Sequence, residues 1–178
     1  MYQKILEFWF EEIQPTQWWS KDDQFDQTII DRFSGIHAKA AQCELYNWRK
    51  TPEGRLAEII VLDQFSRNIY RDTPLSFTSD ALALSLSQEA IRLGADKDVS
   101  ELKRPFFYLP FMHSESKVIH EVAVNLYTAL ANEASLEFEL KHKTIIDRFG
   151  RYPHRNKILG RVSSFEEEVF LTQPASSF

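Results

Sequence analysis

An all-α fold, with about seven to nine helices in antiparallel pairs within a single domain spanning 1–178, is predicted by three observations. Apolar residues recur at helical spacing through most of the chain, and no segment alternates with the period of a strand. Glycine occurs only 5 times, which disfavours a turn-rich β architecture. Caps and breakers cut the chain into helix-length pieces with short connections, which favour antiparallel neighbours.

Tyr2 to Ile13 reads as the first helix, with Ile5, Leu6, Trp9 and Ile13 on one stripe and Pro15 beyond its end. Trp18-Trp19 follows in a short connection, as core packing or as a stacking platform for a ligand. Asp22 or Asp23 caps a helix running to about Leu45, with a one-sided stripe of Phe25, Ile29, Phe33, Ile36 and Ala40. Thr51-Pro52 starts the next helix, with Thr51 as N-cap and Pro52 at the first helical position. Its centre, Leu56 to Arg71, is apolar on nearly all sides and therefore buried.

Asp72-Thr73-Pro74 ends that helix, and Asp80 to Leu93 forms another, closed by Gly94. Lys103 to Met112 is an apolar, proline-bracketed helical turn in the core. Ser114 caps a helix to about Leu130, and a further helix covers Leu136 to Phe149. Gly150 to Gly160 is irregular, and Ser163 or Ser164 caps a last helix, Phe165 to Leu171.

Hydrophobic residues make up 43% of the chain and charged residues 26%, as in ordinary globular proteins. With 14 Phe, 6 Tyr and 4 Trp, a dense aromatic core is expected. A net charge of −5 argues against a nucleic-acid partner. The single Cys43 excludes an intramolecular disulfide and fits a reducing compartment. The N-terminus lacks a signal-peptide layout, and no stretch approaches the ~18 apolar residues of a membrane span. A cytoplasmic protein without a membrane partner is expected, of open oligomeric state.

Several polar residues fall on apolar faces. Asp63 and Arg67 sit mid-stripe in the buried helix, where an i,i+4 ion pair is the obvious arrangement. In the helix after Ser114, Val118, Ile119, Val122, Leu126 and Ala129 form the apolar centre, onto which Glu115 falls, while His113, Lys117 and Glu121 point away. His142 lies among Phe138, Ile145, Ile146 and Phe149. Buried polar groups must be paired, so these residues meet one another, a water or a ligand. The segment Arg148 to Arg161 carries five Arg or Lys and no acid, so the chain's −5 divides into +5 there and −10 elsewhere. Arginine forks suit carboxylate or phosphate.

No Walker loop, G-x-G-x-x-G, H-E-x-x-H or nucleophile elbow is present. His113, Glu115, His142 and His154 are sufficient in number for a metal but lack recognisable spacing, so no metal and no cofactor is expected.

Three segments, Leu62-Asp63-Gln64-Phe65-Ser66-Arg67-Asn68-Ile69-Tyr70, Tyr108-Leu109-Pro110-Phe111-Met112-His113-Ser114-Glu115 and Arg148-Phe149-Gly150-Arg151-Tyr152-Pro153-His154-Arg155-Asn156, resemble the bacterial family catalogued as domain of unknown function 924. The likeness extends over nearly the whole chain. It implies a helical fold similar to tetratricopeptide-repeat proteins and no established activity. Ser66 replaces the family's more frequent proline, Tyr152 its common phenylalanine, and Lys117 a frequent apolar residue. No charged motif residue is lost.

The leading functional expectation is a polar pocket for a small anionic carboxylate or phosphate, in a possible cofactor-free hydrolase. Asp63, Arg67, Asn68, His113, Arg148, Arg151, His154, Arg155 and Asn156 would bind the ligand, and Glu115 or His142 would act as general acid or base. The alternative is a tetratricopeptide-like scaffold for a peptide or protein partner, with a purely structural polar cluster.

Overall fold

The structure, a computed structural model, describes residues 1–174 and 176. Every regular element among them is helical, and none is long and apolar enough to cross a membrane. The chain divides into two compact units, Met1–Arg71 with Leu75–Pro110, and Asp72–Pro74 with Phe111–Phe178.

The first unit opens with α1 (Tyr2–Glu7), which widens into a π-helical turn, Phe8–Glu12. α2 (Asp23–Ala41) starts where the Asp22 carboxylate accepts the Gln24 and Phe25 amides. α3 (Pro52–Ile60) is capped by the Thr51 hydroxyl on the Gly54 amide and continues through a π-helical turn, Val61–Phe65, into α4 (Ser66–Ile69). As its all-round apolarity requires, Leu56, Ala57, Ile60, Val61, Leu62 and Phe65 are fully buried. α5 (Asp80–Arg92) follows, and Gly94 takes the positive φ beyond its end.

The core of this unit is aromatic. Phe8, Trp9, Phe25, Phe33 and Phe65 are all buried and meet as tilted, stacked or edge-on rings. Trp18 joins them by donating its indole N–H to the Trp9 carbonyl (2.9 Å) and standing edge-on to Phe106. Trp19 is 66% exposed, stacked on Phe106 from outside.

Asp63 is 1% exposed, and Arg67 donates to its carbonyl (2.7 Å) and forms an ion pair with its carboxylate at 3.5 Å. Arg67 also reaches off its helix to Asp80, as a fork at 3.0 and 3.2 Å. Glu58, fully buried on α3, is gripped bidentately by Arg49 at 2.7 Å. Asn68 donates to Asp26 at 2.8 Å, and Arg71 binds the same carboxylate.

α6 (Pro105–Met112) is almost wholly buried and its last two residues belong to the second unit. That unit contains α7 (Lys117–Ala129), α8 (Glu133–Phe149) and α9 (Phe165–Leu171), with α7 packed on α8. Two expected helix starts shift. The cap of α7 is Ser116 rather than Ser114, and α8 begins three residues before Leu136, with the Asn132 side chain accepting the Ser135 amide.

The expected apolar centre of α7 is also wrong. Val118 is 73% exposed and Val122 42%, whereas His120, Ala123 and Tyr127 form the buried stripe. Two small valines lost out because an imidazole with two hydrogen-bond partners can be buried, bringing Ala123 and the large Tyr127 with it.

Candidate functional site

Gly150 ends α8 in a left-handed conformation, φ +69°, which spares it the strain a side chain would meet. The chain then turns into the segment that carries Tyr152, whose ring is fully buried. Its hydroxyl donates to the Met112 carbonyl at 2.5 Å. Around that ring stand His142 and His120, both edge-on, and His154, tilted, at centroid distances of 5.8, 6.4 and 5.5 Å. The Arg155 guanidinium lies 4.5 Å from the ring centroid, a cation–π contact in a residue that is 6% exposed.

Glu115 joins the two motif segments of this unit. Its carboxylate accepts the Tyr152 amide at 2.7 Å and the Arg161 fork at 2.6 and 2.9 Å, and Arg161 also donates to the Tyr152 carbonyl at 3.2 Å. Burial alone would raise the Glu115 pKa, but Arg161 and the Tyr152 amide outweigh it and hold the carboxyl below its ordinary value. Glu115 precedes α7, so a helical wheel could not place it.

His142 donates Nδ1–H to the Phe138 carbonyl at 2.8 Å, which fixes the tautomer and makes Nε2 the basic nitrogen. Burial, reinforced by the like charges of His113, His120 and His154, pushes its pKa down to about 3. His154 is lowered to about 4, first by burial and then by Arg155. His113 is half-buried near both.

Depressed histidines make stability fall with acid, because the unfolded chain takes up protons near pH 6.5 that the folded chain refuses. The contribution is intact above about pH 6.5 and erodes toward the folded values of about 3 and 4. Buried Glu139, whose pKa is raised, works in the opposite sense. The two histidines alone predict a loss of about 3–4 kcal/mol between pH 7 and pH 5, less the Glu139 offset, and His142→Phe should remove about half of it. Urea melts at the two pH values check this. An identical acid loss in the variant would remove His142 from the account.

His120 and Glu139, neither among the expected site residues, complete the cluster. Both are fully buried, with His120 Nδ1 2.6 Å from Glu139 Oε1. His120 Nε2–H donates to the Ser114 carbonyl at 2.9 Å, so one proton is held on the Nδ1–Oε1 line. Signals for both existed: His120 shares a stripe with Ala123 and Tyr127, and Glu139 shares one with His142 and Ile146.

The remaining basic residues have distinct surroundings. Arg151 forks onto Glu167 at 2.6 and 2.7 Å and donates to the Val162 carbonyl, which with the Ser164 cap holds Glu167 near a pKa of about 2. Arg148 is exposed, 4.6 Å from the Phe149 centroid. Asn156, 1% exposed, donates to the Ser163 hydroxyl at 3.0 Å, and its carbonyl accepts the Arg161 amide at 2.8 Å. Asp63, Arg67 and Asn68 belong to the first unit and its ion-pair network. Among the described residues, no three His, Cys, Asp or Glu side chains are grouped to hold a metal.

The profile of DUF924, described as a bacterial protein of unknown function, matches residues 5–175. A solved structure of a protein of unknown function from Agrobacterium tumefaciens is similar at a TM-score of 0.91 and 40% identity, over 96% of each chain. No functionally curated protein matches.

Proposed function

Since the chain belongs to DUF924, a family of bacterial proteins of unknown function, we propose a role from its own geometry: its C-terminal unit binds a small carboxylate or phosphate. One observation carries this reading. Three buried polar atoms of a single segment, His154 Nδ1, Asn156 Oδ1 and Arg161 Nε, have no hydrogen-bond partner among the described residues. Buried polar atoms require one. Arg161 Nε–H and a protonated imidazole nitrogen are donors suited to an oxyanion, and Asn156 Oδ1 is an acceptor suited to a ligand hydroxyl. Arg155, its guanidinium 4.5 Å from the Tyr152 ring centroid, adds a second cation to the segment. Glu115 is occupied by Arg161, and His142, lowered to about 3, accepts a proton only weakly at neutral pH, so the arrangement favours binding over proton transfer.

The purely structural reading, with ordered water on the three atoms, draws support from the internal Arg151–Glu167 and Arg161–Glu115 pairs. A thermal-shift panel at constant ionic strength separates the two. Phosphate or a small hydroxycarboxylate at 100 times its dissociation constant stabilises by about 2.7 kcal/mol, which raises Tm by about 5–10 °C in a chain of this size. Arg155→Ala and His154→Phe should reduce that rise. No anion-specific rise in the wild type leaves the structural reading standing.

A further inference from the structure

The N-terminal unit contains a cleft of about 210 Å³, lined on one side by Arg49, Lys50, Thr51, Pro52 and Arg55 and on the other by Leu93, Ala95 and Asp98. It is independent of the cluster around Tyr152. We propose that this cleft is a second binding site, for a small molecule with an oxyanion head and a short apolar body.

The cations are brought together by a close backbone approach. A Cβ on Gly54 would lie 2.0 Å from the Trp48 carbonyl oxygen, a contact no side chain tolerates. Glycine there lets the 3₁₀ turn Tyr46–Lys50 press on α3, so that Arg49 and Lys50 stand beside Arg55. The three cations are not equivalent. Glu58 engages Arg49 through Nε and one terminal nitrogen, fixing the guanidinium plane on the cleft wall. The side chains of Lys50 and Arg55 make no hydrogen bond or ion pair among the described residues. Glu89 and Arg55 interact as charges, without a hydrogen bond. Two uncommitted cations beside an orienting third suit the several oxygens of a phosphate or carboxylate.

The opposite wall sets the rest of the ligand. Leu93 is 50% exposed at the cleft and offers apolar contact. Asp98 disfavours a second negative charge on the far end and accepts a hydroxyl or ammonium there. The class that fits has an anionic head, a few carbons and a neutral or cationic tail.

The probes are inorganic phosphate, and 4-aminobutyrate against butyrate, titrated at constant ionic strength into the ¹⁵N-labelled full chain. The side-chain Nε–H signal of Arg55 and the backbone amide of Lys50 are followed. Saturable movement of both is expected, with 4-aminobutyrate bound more tightly than butyrate. Lys50→Ala and Arg55→Ala should each weaken binding about tenfold or more, a charged hydrogen bond's share. Arg155→Ala, in the other unit, should leave these signals unaffected, so failure here is distinct from failure of the site around Tyr152. Asp98→Asn should abolish the preference for 4-aminobutyrate, and folding of each variant is confirmed by the unchanged remainder of the spectrum. Linear, unsaturated movement, or saturation that persists in the Lys50→Ala/Arg55→Ala double variant, overturns the proposal.

Discussion

Arg49→Ala is expected to destabilise the protein by about 3–5 kcal/mol, the usual result of removing one partner of a buried ion pair. Glu58 is the reason. Its carboxylate is fully buried on α3, and Arg49 supplies both of its charge-assisted hydrogen bonds at 2.7 Å. Surface ion pairs are worth under about 1 kcal/mol, so the size of the loss separates the two situations. The double variant Arg49→Ala/Glu58→Leu should recover much of it, because an apolar side chain fits that site without a cation. Urea melts of the single and double variants read the effect directly. A single-variant loss below about 1 kcal/mol would place Glu58 in water.

Arg67→Ala should cost about 3 kcal/mol by the same logic. Arg67 binds a 1%-exposed carboxylate at Asp63 and ties α4 to the start of α5 through Asp80. Lysine is a poor substitute, because a single ammonium cannot reproduce the two-pronged contact to Asp80 while also serving the Asp63 carbonyl. Arg67→Lys should therefore recover less than half of the loss. Full recovery would show that charge alone, without the fork, is what this position requires.

Those two sites differ in how far the sequence disclosed them. Asp63 and Arg67 stand one turn apart on an all-apolar stripe, and local periodicity suffices to predict a buried pair. Arg49 and Glu58 belong to different elements, and nothing local links them. The same division runs through the second unit. Of the face expected around His142, Ile145 and Ile146 are buried with it, whereas Phe138 is 53% exposed. Arg161 stands in the sequence as part of a basic run, and its partner Glu115 lies 46 residues away. On α7 the more apolar stripe, with Val118 and Val122, faces outward. The stripe that holds His120 prevails because Glu139 and Ser114 satisfy that histidine.

The helix starts show a related limit. Thr51-Pro52 and Ser164 with Glu167 combine two signals at fixed offsets, and both helices begin where those signals place them. Ser116 takes the N-cap position of α7 without a side-chain cap, while the Ser114 hydroxyl accepts the Ser116 amide just ahead of it. α8 begins ahead of Leu136 because the Asn132 side chain accepts the Ser135 amide at 3.0 Å as an N-cap.

The central claim, that the segment around His154 receives an oxyanion, is tested most directly by titrating the His154 imidazole by NMR with and without saturating phosphate at fixed ionic strength. In the free protein burial and Arg155 keep its pKa down to about 4. A bound oxyanion stabilises the imidazolium, so the account predicts a midpoint about one pH unit higher with phosphate, and no such rise in Arg155→Ala. A midpoint that does not move when phosphate is added would contradict the account.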